Sequence, residues 1–275
     1  QFSKQVVIQD KTYLVDTCGT GGDGIQTFNV STLSAIVAAS AGVKVAKHGG
    51  RSVSSKCGSA DVLEALGVNV NLTADKVASL VNEIGIAFMF APNFHPAMRY
   101  AAPVRKKLGI RTIFNVLGPL ANPASATRQV LGVYDMSLTQ TMAEVLSKLG
   151  SEHVMVVHGE DGMDEISIAS PTTVTELKNK TITTYTIKPT DFGLDLADLK
   201  TIQVENADAS KAMMIDVLKG SHGPHRNITI LNAGAAIYVS GITSTLKEGI
   251  EKAASVIDQG LALKKLEALK VASHG

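Results

Sequence analysis

A glycine-rich segment, residues 19–24, follows the first apolar run of the sequence and carries Asp23 among its glycines. Glycines allow backbone N–H groups to approach an anion closely. Ser31 or Thr32, a few residues further on, can cap a helix whose N-terminus attracts phosphate. The segment, called the glycine loop below, therefore predicts a phosphate-binding site.

Other interpretations of the glycine loop stay open. Its spacing satisfies GxGxxG, which is typical of dinucleotide sites but weak by itself. Such a site expects an acidic residue about 20 residues later to bind the ribose, where this sequence has the cationic stretch VKVAKHGGR. A P-loop lacks support because no GK[ST] follows. A turn that only packs a helix on a strand does not need Asp23, but it is the simplest alternative.

A second polar loop, residues 47–59, has cationic rather than acidic side chains. Lys47 and Arg51 supply positive charge, and glycines again open the backbone. Two such loops on neighbouring strands predict a ligand with two separate phosphate groups. The alternative is that these cations only make the surface soluble. The hydroxyl donors of this loop are Ser52, Ser54, Ser55 and Ser59.

A third loop is strongly acidic and follows the apolar run HVMVV. Its four carboxylates repel one another unless they are solvated or bridged by a cation. Carboxylate oxygens suit Mg²⁺, which commonly binds one or two carboxylates together with substrate phosphates. A solvated acidic loop is the competing interpretation. The four residues are Glu160, Asp161, Asp164 and Glu165.

Three polar residues accompany a predicted helix over residues 96–108. An arginine fork there would pair with a carboxylate on a second substrate, but composition does not distinguish Arg99 from Arg105. His95 is more typical of a cap or a packed polar residue than of a catalyst.

Short β-branched runs alternate with helical patterns along the chain, which predicts βαβ crossovers in one α/β domain over residues 1–275. The sheet is expected to be mostly parallel with helices on both faces, and residues 172–187 to add an antiparallel hairpin. The three polar loops would then meet at the carboxyl edge of the sheet. The predicted strands are 13–16, 43–46, 86–90, 112–114, 130–133, 154–157 and 228–231. The predicted helices are 32–41, 59–66, 74–84, 96–108, 138–149, 207–218 and 245–268.

Composition narrows the class of protein. The 275 residues are 45% hydrophobic and carry a net charge of +1, which excludes disorder and offers no bulk attraction for nucleic acid or membranes. Aromatic residues make up only 4%, which disfavours base stacking. Cys18 and Cys57 are too few for a disulfide framework. With neither a signal peptide nor a bilayer-spanning run, we expect a cytoplasmic protein.

Four motifs in order resemble the anthranilate phosphoribosyltransferase family of tryptophan biosynthesis. They are DTCGTGGDGIQTFNVST, AKHGGRSVSSKCGSADVLEALG, HPAMRYAAPVRKKLGIRTIFNVLGPLANP and HGEDGMDEIS. The resemblance extends from about residue 15 to NAGAAIYVSG and beyond. It implies transfer of a 5-phosphoribosyl group from phosphoribosyl pyrophosphate to the amine of anthranilate, with Mg²⁺ required and a homodimer as the typical assembly.

The resemblance also implies roles for individual residues. Lys47 and Asp23 would act electrostatically, without a strong general base. Mg²⁺ would be held by Ser31, Asp164 and Glu165, directly or through water. Anthranilate would meet Gly19, Gly50 and Arg105. Phosphoribosyl pyrophosphate would bind Gly19, Gly22, Asp23, Thr27, Asn29, Val30, Ser31, Thr32, Lys47, His48, Gly49, Ser54, Ser55 and Ser59.

The sequence departs from the family in two ways. Gly50 stands where the family motif KHGNR has an Asn that contacts anthranilate. Members also begin with a small helical domain that would pack on the helix at about 96–108, and we expect this chain to lack it. Two alternatives remain: a pyrimidine nucleoside phosphorylase, which shares the fold and a KHG-type loop, and a relative that binds nucleic acid without catalysis.

Overall fold

The computed structural model describes residues 3–51, 57–101, 103, 104, 107 and 111–275. In this part of the chain there are seven strands: β1 Leu14–Gly19, β2 Lys44–Gly49, β3 Ile86–Phe90, β4 Arg128–Gly132, β5 His153–Gly159, β6 Thr172–Lys178 and β7 Thr181–Ile187. They form one sheet in the order β3-β2-β1-β4-β5-β6-β7. The predicted fold class, a mostly parallel sheet between helices, is confirmed.

Strand β1 lies at the centre of the parallel part, between β2 and β4. The chain runs outward from β1 through β2 to β3, then returns to β4 and continues to β5. A crevice opens where this order reverses, at the carboxyl ends of the strands. The predicted antiparallel hairpin is confirmed as β6 and β7, which join through Asn179 and Lys180 at φ values of 51° and 63°. Two consecutive positive φ angles are typical of a tight hairpin turn.

Helices cover both faces of the sheet. They are α1 Val30–Ser40, α2 Ser59–Ala65, α3 Ala74–Ile84, α4 Ala91–Phe94, α5 Ile113–Leu117, α6 Leu138–Lys148, α7 Ala207–Leu218, α8 Pro224–Ser240, α9 Leu246–Asp258 and α10 Leu261–His274. Because side chains alternate between the two faces along a strand, Val15, Val45 and Val130 join an apolar cluster with α1 and α8, while Leu131 and Val154 join another with α6. No helix in the described ranges has both the length and the apolar character of a membrane span.

The predicted strand at 228–231 is wrong, because these residues lie inside α8. Every residue of α8 from Ile228 to Ser240 is buried, so its apolar residues surround the helix instead of forming one stripe. A short, uniformly apolar run does not distinguish a buried helix from a buried strand. The start after Gly223 with Pro224 in the first turn is the signal that favours a helix.

The predicted strand at 112–114 is also wrong. These residues enter α5, and the Asn115 side-chain oxygen accepts from the Thr112 N–H at 3.0 Å. The predicted helix at 245–268 is two helices, α9 and α10, which separate at Gly260 with φ 68°. The predicted helix at 96–108 begins as a 3₁₀ helix, Pro96–Tyr100; residues 102, 105, 106 and 108 lie outside the described residues.

Helices α8 and α9 cross at a glycine pair. A Cβ added to Gly249 would lie 2.3 Å from the Gly234 carbonyl oxygen, and one added to Gly234 would lie 2.6 Å from the Ile250 nitrogen. Backbone meets backbone at this crossing, so a side chain cannot move aside to make room.

We expect Gly249→Ala to lower the free energy of unfolding by about 3 kcal/mol, because overpacking here must separate two buried helices. Urea unfolding measures the change. Glu251→Ala, at an exposed position of α9, is the control and should change stability by less than about 0.5 kcal/mol. Equal stability of the two variants would contradict the close crossing.

Candidate active site

A cavity of about 330 Å³ opens at the carboxyl edge of the sheet. It lies where the loops after β1, β2 and β5 meet, as the sequence predicts for its three polar loops. The structure therefore brings together residues that are more than 100 positions apart in sequence. The predicted site residues that line the cavity are Gly19, Gly22, Asp23, Thr27, Asn29, Val30, Ser31, Lys47, His48, Gly49, Gly50, Ser59, Asp164 and Glu165.

Four predicted site residues are not among those lining residues. Thr32 is buried in the first turn of α1, where its hydroxyl bonds the Asn29 side chain at 3.3 Å. It supports Asn29, which does line the cavity. Ser54, Ser55 and Arg105 lie outside the described residues.

The glycine loop depends on backbone conformations that favour glycine. Gly21, Gly22 and Gly24 have φ angles of 65°, 81° and 78°. The Gly21 N–H donates to the Asp164 carboxylate at 2.7 Å. One backbone donor of the predicted anion site thus bonds a carboxylate from the acidic loop.

Lys47 is a buried cation at the floor of the cavity, with only 3% of its surface exposed. Its ammonium donates to the Thr17 carbonyl and, at 3.1 Å, to the Ser31 hydroxyl. Burial lowers the pKa of Lys47, while the nearby carboxylates of Asp16 and Glu165 act to raise it. The nearby carboxylates therefore favour the charged form of Lys47, which a bound phosphate would need.

Asp16 is a buried residue of β1 that the sequence reasoning missed. One carboxylate oxygen accepts the His48 N–H at 3.1 Å, and the other accepts from the Asn122 side chain at 2.8 Å. Asn122 also donates to the Ala46 carbonyl at 2.9 Å. Burial raises the pKa of Asp16. This bridge positions the Lys47–His48 segment, and the only signal in the sequence was a charge inside an apolar strand.

The four acidic residues of the third loop separate into two pairs. Asp164 and Glu165 line the cavity. Asp161 instead accepts from the Ser167 hydroxyl and from the Met163 N–H, which shapes the loop. Glu160 is exposed. Only half of the acidic pattern therefore faces the predicted ligand.

Burial and repulsion between neighbouring carboxylates raise the pKa values of the two side chains of the acidic loop that line the cavity. Desolvation and the nearby Asp23 charge raise the pKa of Asp164 to about 7. Desolvation and Asp164 raise the pKa of Glu165 well above its usual range, against an opposing effect of Lys47. Such a concentration of carboxylates is typical of a site that binds a cation.

The donor set fits Mg²⁺. Asp164, Glu165 and the Ser31 hydroxyl offer oxygen ligands around one cavity. Within the described residues no three His, Cys, Asp or Glu side chains form a complete metal cage. Mg²⁺ does not need one, because it keeps several waters and completes its shell with substrate phosphates.

The acidic loop packs against the end of β4 at a glycine, where the lack of a side chain leaves room for the loop backbone. A Cβ added to Gly132, the last residue of β4, would lie 1.6 Å from the Asp164 carbonyl oxygen. A Cβ on Gly19 would lie 2.5 Å from the Asp164 carboxylate. The Asp164 backbone thus runs directly over the ends of two central strands.

The other predicted cations have partners of their own. Arg51 lines the cavity, but its guanidinium bonds Asp61 at 2.8 Å and Glu64 at 2.6 Å. Arg99 donates to the Tyr100 hydroxyl at 2.6 Å. Arg51, which the sequence predicted as a donor to phosphate, is therefore paired with carboxylates of α2 instead.

His95 lies beside His48, with ring centroids 4.9 Å apart. Burial lowers the pKa of His48 to about 3, and His95 contributes to that shift. Burial also lowers the pKa of His95. Both rings are thus neutral near pH 7, in agreement with a packed polar role.

The segment leading into α5 contacts the glycine loop, which the sequence did not indicate, and Asn115 of α5 also lines the cavity. The Arg111 guanidinium donates to the Gly22 carbonyl through Nε at 2.9 Å and also through Nη2. The Asn115 side chain donates to the Thr20 carbonyl at 3.3 Å. The mistaken strand at 112–114 concealed these contacts, since a T-x-x-N capping pattern would have indicated a helix start here.

Comparison with known proteins places the chain in a family. Residues 11–263 match the family described as "Glycosyl transferase family, a/b domain". The anthranilate phosphoribosyltransferase of Methylobacillus flagellatus is 59% identical over 273 residues, which cover 99% of this chain and 80% of the relative. That of Nitrosomonas europaea is 53% identical over 269 residues, covering 98% of this chain and 79% of the relative.

Solved structures agree. Anthranilate phosphoribosyltransferase from Thermus thermophilus has a TM-score of 0.93 at 42% identity, covering 99% of this chain and 81% of that one. The Saccharomyces cerevisiae enzyme, solved in complex with PRPP and Mg, has a TM-score of 0.91 at 33% identity, covering 99% of this chain and 77% of that one. The family resemblance in the sequence is confirmed, and the chain belongs to the anthranilate phosphoribosyltransferase family.

Proposed function

We propose that this protein transfers the 5-phosphoribosyl group of phosphoribosyl pyrophosphate to the amine of anthranilate, forming N-(5-phosphoribosyl)anthranilate and pyrophosphate. One observation carries the proposal: a single cavity combines the glycine loop, buried Lys47 and the Asp164–Glu165 pair in a chain of this family. Phosphate-binding backbone, cation and metal-binding carboxylates are the groups that departure of pyrophosphate requires.

The donor substrate uses the β1 and β2 loops. Backbone N–H groups of the glycine loop and the N-terminus of α1 face its phosphates, and Asn29 and Ser31 offer side-chain bonds there. The ammonium of Lys47 stabilises charge that develops on pyrophosphate as it leaves. Asp164, Glu165 and Ser31 would hold Mg²⁺, which when bound supplies further positive charge for the leaving group.

The acceptor needs positioning more than proton transfer. An aromatic amine is already neutral near pH 7, so no strong general base is assigned and Asp23 acts electrostatically. The amine approaches the face of the ribose opposite to pyrophosphate, so we expect inversion at the anomeric carbon. Gly19, Gly50 and Arg105 would receive anthranilate, with Arg105 pairing with its carboxylate. Holding both reactants in line supplies much of the rate enhancement.

Product analysis tests the proposal. The full chain is incubated with phosphoribosyl pyrophosphate, anthranilate and Mg²⁺, and loss of anthranilate is followed with release of pyrophosphate in equal amounts. A pyrimidine nucleoside phosphorylase would instead cleave thymidine or uridine with inorganic phosphate. A binding protein without catalysis would give neither product and would retain DNA in a salt-dependent way. Either of these results would overturn the proposed reaction.

Gly50 stands where the family motif has an asparagine, so this chain lacks the amide side chain at that position. A Cβ at Gly50 would meet nothing within 4 Å, so the cavity has room for one. We expect Gly50→Asn to lower the KM for anthranilate about threefold, because it restores an amide that can bond the acceptor. Steady-state kinetics measures this, with Gly50→Ala as the control that fills space without an amide. An equal KM for both variants would show that the amide makes no bond.

The proposal extends to the setting of the enzyme. Mg²⁺ as the required metal is supported by the Saccharomyces cerevisiae relative solved with PRPP and Mg. We further propose a cytoplasmic homodimer, and that the segment at about 96–108 packs against a small helical domain of the kind that the family resemblance implies. Exposed apolar side chains in and after this segment support the packing, since Tyr100 is 70% and Ile113 is 65% exposed. Light scattering tests the dimer.

A further inference from the structure

Arg111 contacts the glycine loop through the backbone of Gly22. It does not line the cavity, whereas Gly22 and Asp23 do. Two of its nitrogens, Nε and Nη2, donate to the single carbonyl oxygen of Gly22. This two-pronged contact fixes the direction of that carbonyl as well as its distance.

Fixing the Gly22 carbonyl also fixes the next backbone donor. The C=O and N–H of a trans peptide unit point in opposite directions. With the Gly22 carbonyl held towards Arg111, the N–H of Asp23 is aimed away from Arg111. That N–H donates to no acceptor among the described residues. Asp23 lines the cavity, so its backbone donor is available to an anion there.

The guanidinium is itself held in place. It lies 4.4 Å from the centre of the Tyr134 ring, which follows β4. The Tyr134 N–H donates to the Thr20 hydroxyl at 3.1 Å, and the Thr20 N–H donates to the Gly132 carbonyl at 2.9 Å. Arg111 thus links the glycine loop to a rigid part of the sheet. A cation over an aromatic face is held there by electrostatic attraction.

We infer that Arg111 is a positioning residue for phosphoribosyl pyrophosphate: stacked on Tyr134, it holds the Gly22–Asp23 peptide so that the Asp23 N–H faces the phosphates of the donor. The inference rests on the proposed function. It differs from the family-implied role of Arg105, because Arg111 contacts the glycine loop, which we assign to the donor substrate. Its effect should therefore be confined to the donor substrate.

The test compares Arg111→Ala with the wild-type chain. We expect the KM for phosphoribosyl pyrophosphate to rise about tenfold, as loss of a charge-assisted contact implies, while the KM for anthranilate changes less than about twofold. Titration calorimetry with phosphoribosyl pyrophosphate and Mg²⁺ should show the same loss of affinity without turnover. Arg111→Lys, which keeps the charge but loses the fork, should fall between the two. Added guanidinium ion should partly restore the alanine variant.

Arg128→Ala is the matched control. Arg128 also donates to a backbone carbonyl, that of Val239 at 2.9 Å, but at the other end of the sheet. It should leave both KM values unchanged. Equal rises in both KM values for Arg111→Ala, or unchanged donor affinity, would overturn the inference. A wild-type chain without transferase activity would instead overturn the proposed function, and calorimetry would still test donor binding.

Discussion

Asp164→Asn combined with Glu165→Gln is expected to lower kcat/KM by about 10³-fold or more, without lowering the melting temperature. The loss of rate follows because the variant removes the carboxylates that would hold the metal, and groups that stabilise a leaving anion each contribute about 10² to 10³ in rate. Mg²⁺ activation curves measure the effect. They should become flat.

Stability should move in the other direction. Burial and repulsion raise the pKa values of Asp164 and Glu165, so their charged forms oppose folding when no cation is present. Amides of the same size remove the charge and keep a hydrogen-bond acceptor for the Gly21 N–H. A thermal melt without Mg²⁺ should therefore show a midpoint at least as high as that of the wild type. Inactivity with a lower midpoint would indicate that the variant lost its fold.

Glu160→Gln is the control for this experiment. It changes an exposed carboxylate in the same loop, so it should alter neither the Mg²⁺ activation curve nor the melting midpoint. If Glu160→Gln and the double variant behaved alike, the acidic loop would be a solvated surface.

Lys47→Met is expected to reduce kcat/KM for phosphoribosyl pyrophosphate by about 10²-fold or more. Methionine has a similar length, so packing is largely kept, but the variant loses the cation that we propose to stabilise the leaving pyrophosphate. Steady-state kinetics at saturating anthranilate measures the effect. Lys47→Arg should not restore activity, because the guanidinium does not fit the buried contacts with Thr17 and Ser31.

Lys44→Met tests whether this loss depends on position. Lys44 lies at the other end of β2, where it pairs with Asp10 at 2.5 Å. Its replacement should leave kcat/KM unchanged. An equal loss at both positions would mean that general charge, not the site, attracts the substrate.

The sequence predicts the convergence of the three loops because each follows a strand of a parallel sheet. Glycines, lysine and serines after β1 and β2, and carboxylates after β5, could be assigned to one edge from that rule alone. The same rule could not predict that Asp164 lines the cavity while Asp161 does not, since both lie in the same acidic loop. Their roles differ through the turn that Asp161 makes with Ser167 and Met163.

Three residues that shape the site could not be predicted from the sequence, and for the same physical reason. Asp16, Arg111 and Asn115 act on other protein groups, and their partners are distant in sequence. The contact of Arg111 with Gly22 joins residues 89 positions apart, which no local pattern reveals. The errors at 112–114 and 228–231 have another origin, because β-branched residues there occupy helices. The first is the start of a short helix in which no residue is fully buried, and the second lies in a helix that is buried on all sides.

Gly132 has a consequence for how this enzyme can change. Since the Asp164 carbonyl occupies the place of its Cβ, the acidic loop cannot be transplanted or redesigned without glycine at the end of β4. A substitution at position 132 would move the carboxylate pair and disturb the middle of the sheet in one event. We assign residue 132 no contact with a substrate. Even so, the folding of the sheet and the position of the proposed metal ligands both depend on glycine at this position.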